Sequence, residues 1–514
     1  MWVEHIITTL EVNTMHITYD LKNDIEYAKL CTSKRKGKKV NKDYTYLGRV
    51  LDREKGIYKN RERGVFTFSI ENGYGKAPAA FVPDVPSSME KMKLILDFGD
   101  SFFIDEFLKQ NGFKKVVEEI GYGNPDTLKA MLSYYVLCSM ANCHAADWFE
   151  GNYVRILYPK ANLTSQRISD FLAAIGDEYS YREFFNAYLK FIFHTVDGIA
   201  DTGVLIDSTG LPNDVHFPLT AINNHNGTIS NEVRLIYVTQ QDTGMPIYFR
   251  YCPGNVVDTT TLTRTMAELK ESGINTKFAI LDAGYYTDDN IRELYRNQVS
   301  FITRLRENRI LYKELVAKHL PGIEDANNFV SYNGRYVYVK CVPCKLVDDY
   351  KGYAYICLDI ERKSMESHKL FQRATENKLS DKDVYDKMQD QGVFVLVASR
   401  RIAKPKILPA YYMRQQIEQI FDIGKNYADM LPIRVQTEDT FRGHLLLTFM
   451  ATVVCKLVQD KLLKKPINPI SLFLNLRNHK CKVYNSAIIT QEEFKKANDC
   501  YKLFNIKYPV RIPF

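Results

Sequence analysis

The sequence predicts an α/β fold, a mixed five-stranded sheet with helices on both faces, carrying a β-rich insertion and preceded by an α+β N-terminal region. Three observations predict it. Apolar strand-like runs alternate with helical segments between residues 203 and 305. A β-rich, then polar stretch of about 80 residues interrupts them, too long for a plain loop. An apolar run and two long helical segments then follow.

The core elements come in order. Gly203–Asp207 is a short apolar run ending in an acid. Glu232–Gln240 and Met245–Tyr251 are further strands, joined by the turn residues Asp242-Thr243-Gly244. A helix spans 258–272 and stops at Gly273, and Lys277–Asp282 is a fourth strand. Thr287-Asp288-Asp289-Asn290 caps a second helix, and Ser300–Leu305 is a fifth strand. Three antiparallel strands, helix, strand, helix, strand is the order of an RNase H-like core. Residues 311–390 form the insertion, read as a subdomain with strands in 328–345 and 353–361. The core resumes at Gly392–Ser399 and runs through 391–463, with helices at about 408–428 and 441–463.

Before the core (197–310), residues 1–85 read as a basic region rich in β-hairpins, punctuated by Gly37, Gly48, Gly56 and Gly64. Residues 86–196 read as helices that bind DNA. A helix-turn-helix at 164–190 is one reading, and ordinary packing helices are the favoured one. Residues 464–514 are a basic tail with no domain of their own.

Hydrophobic residues make up 45% of the chain and charged residues 25%, the balance of a globular protein. No run of 18 apolar residues occurs, so neither a membrane span nor a membrane partner is expected. Residues 1–20 mix acids among apolar residues, unlike a signal peptide, which points to the cytoplasm. The ten cysteines sit mostly in apolar segments, as reduced thiols do. Cys341 and Cys344 form one close pair without a second, so strand cysteines are favoured over zinc. Residues 34–63 carry twelve basic side chains against four acids, a net +8 equal to that of the whole chain. Such a patch, led by Lys34, Arg35, Lys36, Lys38 and Lys39, is the footprint of a phosphate-binding surface.

Two apolar runs end in acids, Val204-Leu205-Ile206-Asp207 and Ala279-Ile280-Leu281-Asp282. An acid at the C-terminal end of a buried strand stands at the sheet edge where α/β sites form. A third acid lies on the helix that contains Tyr411-Tyr412-Met413-Arg414. Tyr411, Arg414, Glu418 and Lys425 are spaced 3, 4 and 7 residues apart. At about 100° per residue they share an arc of about 60°, while Met413, Ile417, Ile420 and Phe421 take another side. One face thus packs, and the other presents a phenol, a guanidinium, a carboxylate and an ammonium. Metal-assisted phosphoryl transfer needs converging carboxylates, because Mg2+ prefers oxygen ligands and two ions must sit about 4 Å apart. His444, just beyond this helix, is expected as a satisfied core histidine, and Ser208-Thr209 as a turn after Asp207.

The spacing Tyr-x2-Arg-x3-Glu-x6-Lys resembles the signature of the YREK group of bacterial insertion-sequence DDE transposases. Asp207 in Leu205-Ile206-Asp207-Ser208-Thr209 resembles the first family acid, and Asp282 in Asp282-Ala283-Gly284 the second. The resemblance covers residues 200–460 well and the N-terminal third loosely. It implies an RNase H-like catalytic core in which Asp207, Asp282 and Glu418 hold two Mg2+ ions, with Mn2+ a substitute. Tyr411, Arg414 and Lys425 would hold DNA phosphates. A homodimer would bind terminal inverted repeats and cut and join DNA in the bacterial cytoplasm, at the nucleoid. The alternatives are an RNase H-like nuclease on other DNA, or a non-catalytic DNA-binding descendant. Some members pass through a DNA hairpin and stack a flipped base on a tryptophan of the insertion. Here the tryptophans are Trp2 and Trp148, and the insertion offers Tyr332, Tyr336 and Tyr338 instead.

Overall fold

The computed structural model describes residues 13–514 apart from 23–24, 37–38, 79–91, 196–202, 214–218, 226–227, 257–260, 378–383, 385–387, 389, 429, 432, 434 and 463–466. The chain divides into two compact units, Met1–Lys91 and Met92–Phe514.

The first unit is a six-stranded antiparallel meander: β1 (Asn13–Lys22), β2 (Ile25–Lys36), β3 (Lys39–Asp52), β4 (Ile57–Asn60), β5 (Gly64–Ser69) and β6 (Gly73–Lys76). Strand alternation sorts its side chains onto two faces. Ala28, Leu47, Tyr58, Phe66 and Phe68 form a small core, with Ile17, Tyr19, Leu30 and Val50 packed against it. The other face follows from the register: Lys29 pairs with Tyr46, Cys31 with Tyr44, and Tyr27 with Arg49, which pairs in turn with Lys59. Tyr27 and Tyr46 stack at 6.4 Å, and Tyr44 and Tyr46 stand about half exposed. Of the basic cluster expected to lead the patch, Lys34 is exposed on β2. Lys38 and the side chains of Arg35, Lys36 and Lys39 lie outside the described residues.

The second unit contains a ten-stranded sheet rather than the five strands expected. Its strands are β8 (Gly203–Pro212), β9 (Ala221–His225), β10 (Thr228–Gln240), β11 (Pro246–Pro253), β12 (Phe278–Leu281), β13 (Ser300–Leu305), β14 (Phe329–Tyr332), β15 (Arg335–Val347), β16 (Tyr350–Asp359) and β17 (Val393–Ala398). The order across the sheet is β11-β10-β8-β12-β13-β17-β16-β15-β14, with β9 paired to β10. The first five strands have the expected pattern: β10 runs antiparallel to β8 and β11, and β12 runs parallel to β8 and β13. The helices Leu262–Glu271 and Asp288–Arg296 precede β12 and β13; the Thr287 hydroxyl caps the second by accepting the Asn290 N–H. The extra strands come from the insertion. β17 is buried along its whole length, and its backbone groups need partners on both sides. β13 supplies one side and β16 the other. The insertion therefore extends the core sheet instead of standing as a layer apart. Cys341 and Cys344 lie on β15, as strand cysteines, and all ten cysteines are free thiols.

The helix Glu438–Leu462 runs through the interior. It is long and apolar enough to cross a membrane, but 83% of its apolar window is buried. A helix surrounded on all sides reads as apolar all round. The helix Ser165–Ile175 crosses it at two glycines. A Cβ on Gly443 would meet the Leu172 carbonyl oxygen at 1.9 Å, and one on Gly176 would meet that of Asp439 at 1.9 Å. This close crossing buries Ile168, Phe171, Leu172 and Ile175.

The tail is folded into the second unit and forms no unit of its own. The strands β18 (Lys480–Val483), β19 (Ala487–Thr490) and β20 (Arg511–Pro513) form a second sheet with β7 (Leu94–Asp97), ordered β20-β19-β18-β7. Arg477 pairs with Asp100 at 2.7 Å, and Asp100 is fully buried. His479 is held between the Tyr501 hydroxyl at 3.0 Å and the Gln491 carbonyl at 2.9 Å.

Candidate functional site

β8 carries the first acid. Val204, Leu205 and Ile206 are fully buried, and Asp207 follows with its carboxylate accepting the Ser208 N–H at 2.9 Å. The strand does not end there. It runs on to Pro212 because residues 204–212 pair with 232–240 of β10, so Ser208 and Thr209 are strand residues and not a turn. β12 carries the second acid. Its four residues are buried, and Asp282 leaves the strand at its C-terminal end, where the Thr303 hydroxyl donates to the Asp282 carbonyl at 3.1 Å.

The third acid stands on the helix Gln415–Tyr427. Ile417, Ile420 and Phe421 are buried and pin this helix to the sheet. The single helix expected from 408 to 428 is broken in two. Lys404–Tyr412 is a separate helix with Pro409 inside it, and the chain re-enters helix at Gln415. Between them the bonds tighten to three-residue spacing: Arg414 N–H donates to Tyr411, Gln416 to Met413 and Ile417 to Arg414. A 3₁₀ turn changes the angle between successive side chains. Tyr411 therefore does not share an exposed face with the others. It is 6% exposed, and burial pushes its phenol up to about 12, with Arg414 opposing.

Arg414 turns onto the acids. Its Nη1 lies 2.6 Å from Asp282 Oδ1 and 3.2 Å from Asp207 Oδ2, and its Nη2 lies 3.2 Å from Glu418 Oε1. Three carboxylates from three separate elements thus meet on one guanidinium. Burial opposes the charge on Arg414, but Asp207 and Asp282 outweigh it and hold its pKa above the ordinary value. Lys425 lies against β8, donating to Thr209 Oγ1 at 2.6 Å and to the Gly210 carbonyl at 3.2 Å. Burial lowers its pKa.

The sequence reading missed two participants beside the acids. Thr209 holds Lys425, and Arg234 donates from β10 to the Ser208 hydroxyl at 3.3 Å while lying 3.8 Å from Glu232. The available signal was Glu232-Val233-Arg234, an acid and a base inside an otherwise apolar strand. His444 is a core histidine. It is held by the Tyr135 hydroxyl at 2.9 Å and the Met430 carbonyl at 3.2 Å, and burial lowers its pKa to about 4. In the insertion, Tyr332 is stacked on Tyr412 at 5.5 Å, whereas Tyr336 is half exposed.

Residues 199–454 match the transposase DDE domain family. The match takes in about half of the 514 residues, including Asp207, Asp282, Arg414, Glu418 and Lys425. It supports a DDE transposase. A solved structure described as a cryo-EM structure of the piggyBac transposase synaptic complex with hairpin DNA is similar at 10% identity and a TM-score of 0.39, over 74% of this chain and 79% of that one. No curated protein matches.

Among the described residues no three acids stand close enough together to hold one ion. The trio is nevertheless made of hard oxygen donors from three elements, and with Arg414 included it keeps two excess negative charges. It fits Mg2+ in donor type and in net charge.

Proposed function

We propose that the chain is a cut-and-paste transposase of the YREK group of bacterial insertion sequences. It binds the terminal inverted repeats of its element as a homodimer, cuts at their ends and joins the freed ends to target DNA, in the bacterial cytoplasm at the nucleoid. The observation that carries this reading is the meeting of Asp207, Asp282 and Glu418 on one guanidinium. The strand order β11-β10-β8-β12-β13 supports an RNase H-like core beneath them.

Asp207, Asp282 and Glu418 would hold two Mg2+ ions, or Mn2+, whose chemistry there would be activation of the attacking oxygen and stabilisation of the leaving oxygen. The protein's own work is placement. β8 and β12 present Asp207 and Asp282 from a rigid sheet, and Ile417, Ile420 and Phe421 fix the helix that presents Glu418. Arg414 offers a planar fork suited to a phosphate. Lys425 adds an ammonium beside β8. In the first unit, Lys29, Lys42, Arg49 and Lys59, interleaved with Tyr27, Tyr44 and Tyr46, suit a DNA backbone and its bases. The test is cleavage of DNA carrying the gene's flanking repeats in Mg2+. Wild type is expected to nick at the repeat ends, and Glu418→Gln to lose about a thousandfold, or about 4 kcal/mol of transition-state stabilisation. Cutting of unrelated DNA while the repeats stay intact would make the protein a nuclease on another substrate.

A further inference from the structure

We propose that Arg414 is a built-in counterion that holds the catalytic acids until DNA draws it away, coupling metal loading to DNA binding. This rests on the metal-site reading above. Three contacts at 2.6, 3.2 and 3.2 Å spend the guanidinium on Asp282, Asp207 and Glu418. A cation seated among three acids competes with any metal that needs the same oxygens. Arg414 also stands where it can move. It lies on the 3₁₀ turn between two helices, outside the part of the acid helix pinned by Ile417, Ile420 and Phe421. Its side chain can swing without moving Glu418 off its helix. The same planar fork that pairs with carboxylates pairs with a phosphate. Phosphate on Arg414 and metal on the acids therefore favour each other, and by linkage each raises the other's affinity by the same factor. The free protein keeps its acids tied to one guanidinium, and the cutting site assembles on DNA.

The experiment titrates Mn2+ into the full chain and follows free Mn2+ by electron paramagnetic resonance. It is run without DNA and with a duplex already cut flush at the flanking inverted repeat. Without DNA, Arg414→Gln is expected to bind Mn2+ about tenfold more tightly than wild type, within the usual range of coupling between sites. The duplex is expected to raise wild-type Mn2+ affinity by a similar factor and to leave that of Arg414→Gln unchanged. Arg414→Lys, which keeps the charge and loses the fork, is expected to fall between the two. It replaces Arg414→Gln as the test if circular dichroism shows the latter unfolded. A folded variant that binds Mn2+ no more tightly than wild type overturns the counterion role, as does a wild type indifferent to the duplex. Glu418→Gln separates the two readings: if it binds Mn2+ as wild type does, the metal site itself is wrong.

Discussion

His444 shows how a single buried side chain sets a pH dependence. Its ring is neutral in the fold, with a pKa of about 4 against about 6.5 in an unfolded chain. The unfolded state binds the extra proton between those values, so stability is full above pH about 6.5 and falls as pH drops towards 4. The contribution is about 3 kcal/mol. Thermal melting from pH 7 to 4 is expected to fall less steeply in His444→Gln than in wild type, and parallel curves would remove His444 as the cause. The Asp100–Arg477 pair is a second residue-scale case. Asp100→Ala leaves Arg477 without its carboxylate partner and is expected to cost about 3–5 kcal/mol in urea unfolding. At this scale the sequence was informative about identity and poor about direction. Asp207 and Asp282 could be picked out because each ends an apolar run, and Glu418 because of its spacing from Tyr411, Arg414 and Lys425. The path of Arg414 could not, because it depends on a 3₁₀ turn that helical periodicity does not report. Thr209 was hidden for a related reason, since strand pairing with β10 carries β8 past the acid.

Elements behave differently. The crossing of Ser165–Ile175 over Glu438–Leu462 depends on Gly443, where a Cβ would strike backbone and not a movable side chain. Gly443→Ala is expected to lower stability by about 2 kcal/mol or more, read as a lowered melting temperature. A neutral effect would mean that the two helices separate freely. In the first unit, the face carrying Lys42, Arg49 and Lys59 is an element-scale claim about charge. Replacing the three with Gln is expected to weaken duplex binding and to flatten the dependence of log affinity on log salt by about three. An unchanged slope would place the phosphate contacts elsewhere. The order of the core strands was legible, because turn residues and apolar runs are local signals. That β14, β15 and β16 would join the same sheet was not. The choice of hydrogen-bonding partner for a strand edge is made between segments distant in the chain, and both outcomes satisfy the same local pattern.

The whole molecule contains two compact units, and the second is completed by the C-terminal tail. Removing 464–514 deletes β18, β19 and β20, strips β7 of its sheet and takes Arg477 from Asp100. Such a truncation is expected to give aggregated or poorly folded protein, measured by soluble yield and near-ultraviolet circular dichroism. A truncated chain that melts like the full one would show that the second sheet is an ornament. The tail was illegible because its short strands carry little periodicity, and their partner lies nearly four hundred residues earlier.

That separation also sets a schedule. Asp100 and Arg477 are 377 residues apart. A ribosome adding about 5–20 residues per second makes Asp100 wait roughly 20–75 seconds for its partner. The six-stranded meander has every strand partner within its first 76 residues, so it can be complete while most of the chain is still unmade. The unit bearing the acids stays unfinished until residues 480–513 have been made. A chain stalled before residue 480 would thus carry all three acids and Arg414 and still lack the sheet that β7 joins.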